Sequence, residues 1–187
     1  MRIISGLYKG KKILLPADKN TRPLKDLTKE SIFNLIIHSK FSKIDLERSN
    51  VLDLFAGSGS FGLECLSRKS NFVTFVENYR SVIKILKNNI KTFKIDKNYE
   101  IIEDDIFNNK FFQNINKKFD LIFLDPPYKE GRINFLLENI VKNKIINQKG
   151  LVILHRNKKT KELFSDKFKI VENRIYGISK IYLIKLR

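Results

Sequence analysis

Acidic side chains and a glycine-rich loop are the residues of this chain whose spacing suggests chemistry. Asp53 lies in an apolar run that starts at Val51, and Gly57, Gly59 and Gly62 follow in a short loop. Such a loop brings backbone N–H groups and the start of a helix close to a bound ligand. The same spacing is typical of a dinucleotide-binding turn, so the glycines alone leave the ligand open.

Asp53 argues against an anionic pyrophosphate as that ligand. Its carboxylate is expected at the end of a strand, where it would repel phosphate and attract an ammonium group. S-adenosylmethionine carries an ammonium group and no phosphate. Glu77 ends the next apolar run and suits two ribose hydroxyls, while Asp104 or Asp105, with Ile106 packing on the ring, suits adenine. The predicted S-adenosylmethionine site consists of Asp53, Phe55, Ala56, Gly57, Ser58, Gly59, Glu77, Asn78, Asp104, Asp105 and Ile106.

The stretch Asp125-Pro126-Pro127-Tyr128 follows a fourth apolar run and supplies the candidate catalytic residues. Both prolines lack a backbone donor and fix φ, so the loop is stiff and its carbonyl groups can accept hydrogen bonds. The Asp125 carboxylate and the Pro126 carbonyl can accept both hydrogens of an exocyclic amine and turn its lone pair toward a methyl donor. Tyr128 can stack on the base, which must leave its own stack to enter.

Alternating apolar and amphipathic runs predict the α/β sheet that positions these loops. The runs 168–176 and 178–186, separated by Gly177, predict an antiparallel hairpin at its edge. Ligands of such sheets bind outside the carboxyl ends of the strands. The remaining strand-like runs are 50–54, 71–76, 99–103, 119–124 and 150–155, and the helix-like runs are 60–69, 79–94, 106–113 and 131–143.

Residues 1–187 are expected to form a single domain. In it, a basic arm (1–42) precedes the catalytic core (43–187), which contains the sheet. In the arm, the apolar runs 2–4 and 12–15 predict a small hairpin, which is followed by a polar loop and by a helix over 26–38. Its lysines either contact RNA backbone or protect an exposed hairpin edge, and Arg22 either binds phosphate or forms a loop salt bridge. The candidate RNA-binding residues are Arg2, Tyr8, Lys9, Lys11, Lys12 and Arg22.

Composition narrows the classes of protein to consider. A formal net charge of +17 favours a nucleic-acid partner, although the Lys-, Ile- and Asn-rich composition accounts for part of it. The sequence has no run of about 18 uncharged apolar residues and no apolar stretch with a cleavage site at its start, so we expect no membrane span and no signal peptide. The single Cys65 cannot form an internal disulfide, which favours a cytoplasmic setting, and we expect a monomer. His38 and His155 lie far apart without a nearby cysteine, so no metal site is predicted. His155-Arg156 is expected after the fifth strand, as an RNA-facing patch or a solvated loop.

Together these motifs resemble the bacterial 16S ribosomal RNA guanine-N2 methyltransferases over nearly the whole chain. The resemblance implies a Rossmann-like class I fold, a seven-stranded mostly parallel sheet, S-adenosylmethionine as donor and guanine N2 of 16S RNA as acceptor. It also implies a substrate in an assembled or partly assembled small ribosomal subunit. Lys69, where a glycine is usual, and His155, where an acid is frequent, depart from the pattern. The matching stretches are 2–6, 8–10, 21–23, 29–35, 53–68, 75–77, 125–128 and 176–177.

Other functions stay open at this point. The Asp-Pro-Pro-Tyr motif is shared with adenine-N6 and other amino methyltransferases, but no long insertion is present to serve as a DNA-recognition domain. A non-enzymatic RNA-binding module with a vestigial loop would not need acids at Asp53, Glu77 and Asp125. A NAD-dependent dehydrogenase is disfavoured by Asp53.

Overall fold

The computed structural model describes residues 1–17, 23–108 and 110–187, which include a seven-stranded sheet in the order β3-β2-β1-β4-β5-β7-β6. Its strands are β1 (Asn50–Leu54), β2 (Phe72–Val76), β3 (Tyr99–Ile102), β4 (Phe119–Leu124), β5 (Ile146–Asn157), β6 (Phe168–Tyr176) and β7 (Ser179–Leu186). Strands β1 to β5 run parallel, and β7 is antiparallel to both neighbours. The strand order reverses between β1 and β4, which opens a crevice at their carboxyl ends.

In the described part of the chain, four α-helices cover the sheet: α1 (Asp26–His38), α2 (Ser60–Ser67), α3 (Arg80–Thr92) and α4 (Ile133–Lys142). The first three pack on one face through residues such as Phe33, Phe61 and Leu86, and α4 packs on the other through residues such as Leu136. Both faces of β1 are therefore buried, which explains its continuous apolar run. None of the helices in the described ranges is long and apolar enough to cross a membrane.

The predicted sheet, with its parallel strands and antiparallel terminal hairpin, is confirmed. The helix predicted over 106–113 is wrong, because described residues there form turns that end in a short 3-10 helix, Phe112–Asn114. The Asp105 carboxylate accepts from Phe107 N–H and the Asn108 amide oxygen accepts from Lys110 N–H. Such local bonds offer the backbone an alternative to helix.

Two further predictions about element boundaries change. The N-terminal hairpin is reduced to one antiparallel bridge between Arg2 and Lys12 rather than a pair of strands. Strand β5 is twice as long as the predicted 150–155, and it includes His155 and Arg156. Both side chains are 1% exposed, so the prediction of a solvated or RNA-facing patch at 155–156 is wrong.

Candidate active site

A cavity of about 630 Å³ lies at the carboxyl edge of the sheet, over the ends of β1, β2 and β4. Its wall joins the two predicted sites, because Asp53, Glu77 and Asp125 all line it. Gly59 is the one predicted cofactor residue that does not. The other predicted residues in the lining are Phe55, Ala56, Gly57, Ser58, Asn78, Asp104, Asp105, Ile106, Pro126, Pro127 and Tyr128.

Asp53 is buried, with 1% of its surface exposed, although it carries a carboxyl group. Its Oδ2 accepts a hydrogen bond from Gly62 N–H at 3.0 Å, one of the backbone donors in the first turn of α2 that lack a partner within the helix. Burial raises the pKa of Asp53 to about 8, and the charges of Asp125 and Glu77 add to the rise. A cation in the cavity would stabilise the ionised form.

Glu77 connects the end of β2 to the glycine loop. Its Oε2 accepts from Gly57 N–H at 2.8 Å, and its Oε1 accepts from the N–H groups of Asn78 and Tyr79, both at 3.0 Å. A carboxylate has about four acceptor positions, so Oε2 keeps capacity for one hydroxyl while these three bonds persist. The predicted contact with both ribose hydroxyls needs one of these bonds to be given up.

The glycine loop takes left-handed backbone conformations. Phe55 has φ 70° and Gly59, which precedes α2, has φ 85°. A Cβ on Gly59 would lie 2.4 Å from Leu86 Cδ1, so this glycine serves close packing of the loop on α3. Strained non-glycine residues such as Phe55 cluster at ligand-binding sites.

The far end of the cavity fits a flat apolar ring with a polar edge. Ile106 is buried there, and Asp104 and Asp105 lie beside it. The Phe107 ring packs against the guanidinium of Arg132, with its carbon 3.5 Å from the ring centroid. That this end holds adenine stays a prediction from the sequence.

The cavity is strongly acidic. Arg132 is the only basic residue among its described lining residues, and it pairs with Glu130 at 2.7 Å. Phosphates would be repelled by this wall, whereas a ligand with an ammonium and a sulfonium charge would be attracted. The residues therefore fit S-adenosylmethionine and do not fit a dinucleotide. The acids that line the cavity are Asp53, Glu77, Asp104, Asp105, Asp125 and Glu130.

The Asp125–Tyr128 loop follows β4 and contacts the end of β5. His155 Nδ1 lies 2.9 Å from Asp125 Oδ1, and the rings of Tyr128 and His155 meet edge to face at 6.3 Å. Arg156 donates to the carbonyl groups of Pro127, Tyr128 and Glu130. A buried ion pair with Glu162 balances its charge.

The N-terminal arm docks on α2 through a second set of buried polar groups. Glu64 accepts from the N–H groups of Ile4 and Ser5, at 2.7 and 3.0 Å. Lys29 lies 3.6 Å from Glu64, with neither side chain exposed, and burial lowers the Lys29 pKa. A Cβ on Gly6 would lie 1.9 Å from the backbone oxygen of Ser67, so only glycine allows this approach.

The arm also forms part of the cavity wall, through Leu15, Pro16, Pro23 and Leu24. Asn89 on α3 holds it there, since its amide exchanges hydrogen bonds with the Leu14 backbone and donates to Ser58 O in the glycine loop.

The predicted RNA-binding residues differ in exposure. Arg2, Lys9, Lys11 and Lys12 are exposed, and Arg2 lies 3.9 Å from Asp26. Tyr8 packs against Phe93 at 5.6 Å, and the Lys11 ammonium lies over the Tyr8 ring at 5.0 Å. Arg22 lies outside the described residues.

Comparison with known proteins finds relatives over the whole chain. Residues 1–185 match a family model described as "Conserved hypothetical protein 95". A Buchnera aphidicola protein named ribosomal RNA small subunit methyltransferase D is 32% identical over 181 residues, covering 97% of this chain and 91% of the relative. A Haemophilus influenzae protein of the same name is 29% identical over 179 residues, covering 95% and 90%.

Solved structures share the fold. One from Haemophilus influenzae covers 99% of this chain and 97% of its own, at 28% identity and a TM-score of 0.78. One from Escherichia coli covers 100% and 98%, at 24% identity and a TM-score of 0.81. The predicted class I methyltransferase fold is confirmed.

Proposed function

Because the chain belongs to the conserved hypothetical protein 95 family and is a methyltransferase, we propose that it methylates the exocyclic N2 of a guanine in 16S ribosomal RNA. Relatives named ribosomal RNA small subunit methyltransferase D support the RNA substrate. The observation that carries the proposal is that one acidic cavity is lined by both Asp53 and the Asp125–Tyr128 loop. Donor and acceptor sites are thus continuous.

The methyl donor is S-adenosylmethionine, which supplies an electrophilic methyl group on a sulfonium. Asp53 pairs with its ammonium group, Glu77 accepts from its ribose, and Asp104, Asp105 and Ile106 hold its adenine. The arm residues Leu15, Pro16, Pro23 and Leu24 cover this site.

The acceptor nitrogen needs orientation because its lone pair is conjugated with the guanine ring. Asp125 and the Pro126 carbonyl accept its two hydrogens and direct the lone pair at the methyl group. The new N–C bond forms as the S–C bond breaks, and Asp125 receives the proton that the nitrogen loses. Tyr128 stacks on the flipped-out base, and in-line positioning supplies most of the rate.

The exposed Arg2, Lys9, Lys11 and Lys12 of the arm contact RNA phosphates, with Tyr8 and Arg22 as further candidates. The substrate is an assembled or partly assembled small subunit in the cytoplasm, and the enzyme acts as a monomer. Phosphate contacts make binding weaken steeply as salt rises.

Tritiated methyl transfer tests the proposal. Undermodified small subunits, naked 16S RNA and DNA are offered as acceptors, and labelled nucleosides are identified. We expect N2-methylguanosine from small subunits and none with Asp125→Ala. Methyladenosine in RNA, or N6-methyldeoxyadenosine in DNA only, would replace the guanine assignment with an adenine-N6 activity, and no label in any RNA would reject the RNA substrate.

A further inference from the structure

His155 and Arg156, near the carboxyl end of β5, contact the Asp125–Tyr128 loop from opposite faces of the sheet. Successive side chains of a strand point to opposite faces, so His155 and Arg156 approach the loop from different sides. His155 meets the Asp125 carboxylate, and Arg156 meets the backbone that follows Pro126. Both side chains are fully buried, which fixes them in place.

Arg156 forms the larger part of this contact. Its Nη1 donates to Pro127 O at 2.9 Å, and its Nη2 donates to Tyr128 O at 3.2 Å and Glu130 O at 2.7 Å. Its Nε donates to Glu162. A guanidinium presents its donors in a rigid planar fork, so three carbonyl groups on one planar cation fix the course of the chain between them.

His155 acts on the carboxylate itself. An ionised carboxylate can only accept, so Nδ1–H of the imidazole donates to Asp125 Oδ1 across 2.9 Å. Asp125 directly follows Leu124, whose partner in β5 is Leu154, so the strand register sets the two side chains opposite each other. The imidazole therefore determines the plane in which the carboxylate meets a substrate.

A purely stabilising ion pair would not require this arrangement. Burying Arg156 with Glu162 carries a desolvation cost, and an apolar pair of similar volume is often as stable. The three additional bonds of Arg156 all go to residues 127–130. The contacts are concentrated on the segment that carries Tyr128 and directly follows the Pro126 carbonyl.

We propose that His155 and Arg156 are positioning residues that clamp the Asp125–Tyr128 loop in the geometry that orients the acceptor amine. The clamp fixes the Asp125 carboxylate plane, the Pro126 carbonyl and the Tyr128 ring relative to the donor site. This inference rests on the proposed function, since it concerns the acceptor side of the same cavity.

The first test compares Arg156→Lys with Glu162→Gln. Lysine keeps the charge but cannot span three carbonyl groups, whereas the glutamine variant keeps all three carbonyl bonds. We expect Arg156→Lys to lower kcat by about 10²-fold, as misplacement of reacting groups by about 1 Å does, with S-adenosylhomocysteine affinity within about twofold of the parent. Glu162→Gln should lose less than about fivefold in kcat, and equal losses in both variants would overturn the Arg156 part of the clamp.

The second test compares His155→Asn with His155→Leu and remains decisive if Arg156→Lys does not fold. The asparagine amide can donate where Nδ1–H does, and leucine cannot. We expect Leu to lower kcat by at least about tenfold more than Asn, with the KM for small subunits unchanged, because only orientation in the transition state is lost. Equal kcat values for the two variants would overturn the His155 part.

Hydrogen exchange separates failure of the clamp from failure of the proposed function, because it needs no substrate. Backbone amides of residues 128–132 should exchange faster in Arg156→Lys than in Glu162→Gln, while those of β1 stay unchanged. Unchanged exchange at 128–132 would reject the clamp even if RNA is methylated. Faster exchange in a protein that labels no RNA would keep the clamp and reject the substrate.

Discussion

The buried carboxylate of Asp53 accepts a hydrogen bond from Gly62 N–H at 3.0 Å, and so joins the end of β1 to the first turn of α2. Gly62 leaves no room for a side chain, because a Cβ there would lie 2.2 Å from Phe75 Cε1. The acid thus has a structural bond on one oxygen while it lines the cavity. Because its pKa is raised to about 8, we expect ligand binding in that cavity to depend on pH.

Donor binding should release a proton from Asp53. Its pKa of about 8 means that the empty site is mostly protonated at pH 6.5, while an ammonium ligand requires the charged form. The dissociation constant of S-adenosylhomocysteine should therefore fall by nearly tenfold per pH unit between about pH 5.5 and 7.5. Calorimetry in buffers of different ionisation enthalpy measures the proton count directly.

Asp53→Asn is the control for this linkage, since the amide oxygen can still accept from Gly62 N–H. Its affinity should be independent of pH in that window and about ten- to a hundredfold weaker at pH 7.5, where a charge-assisted bond is lost. A pH slope that survives the substitution would contradict the role of Asp53.

The ligand-free protein should become less stable as pH rises through the same region. A folded-state pKa of about 8 against 3.8 means that the folded state binds more protons than the unfolded state between these values. The contribution of Asp53 to the free energy of unfolding is then fully present below about pH 4, and it is lost as pH rises through about 8. Urea unfolding of parent and Asp53→Asn at pH 6 and 8.5 measures the difference, and an equal change with pH in both proteins would contradict it.

Gly6→Ala should detach the arm, with Gly10→Ala as a matched comparison. Both glycines have φ near +80°, but an added Cβ meets Ser67 O at 1.9 Å in one and nothing within 4 Å in the other. Gly10→Ala should cost about 0.5–1 kcal/mol, because left-handed strain of about 1–2 kcal/mol is partly offset by the lower entropy of the unfolded chain. Gly6→Ala should cost about 1–3 kcal/mol more from overpacking, and thermal unfolding checks both. Equal costs would show that the arm does not dock at Ser67.

Lys29→Met should destabilise the fold because it leaves the buried Glu64 without one of its cations. Removing one partner of a buried pair costs about 3–5 kcal/mol. Arg68, 2.9 Å from Glu64 and little exposed, moves the expected value to the lower end. Lys97→Met, at an exposed position, should change stability by less than about 0.5 kcal/mol. Denaturant midpoints compare the two, and a neutral Lys29→Met would show that Arg68 alone compensates Glu64.

The sequence was informative where local pattern and topology agree. Buried parallel strands read as apolar runs, and their carboxyl ends share one edge, so Asp53, Glu77 and Asp125 could be assigned to one crevice in advance. Two prolines likewise marked the stiffness of the loop after β4. What these residues contact across the cavity remained a prediction based on chemistry.

Long-range polar pairs were not predictable from pattern. Lys29 and Glu64 each lie among apolar residues on a helix, and no local sequence pattern indicates that the two side chains form an ion pair. His155 and Arg156 directly follow an apolar strand, and this position was the available signal that they are buried. Polar and charged side chains are mostly exposed, however, so the residue types predicted the opposite. Their partners in residues 125–130 are set by the pairing of β4 with β5, and the sequence pattern does not show directly which strands are neighbours.

Lys69→Gly should stabilise the protein. Lys69 follows α2 with φ 66°, the left-handed conformation in which helices often end on glycine. A Cβ there costs about 1–2 kcal/mol, of which the greater flexibility of unfolded glycine returns about 0.5–1 kcal/mol. The ion pair of Lys69 with Glu47 is exposed and contributes little.

The expected net gain is therefore about 0.5–1 kcal/mol, read as a higher denaturant midpoint with an unchanged slope. Lys84→Gly, at an exposed position in the middle of α3, should instead lose about 1 kcal/mol, because glycine is unfavourable in a helix interior. Equal destabilisation by both substitutions would show that the Lys69 backbone is not strained at the end of α2.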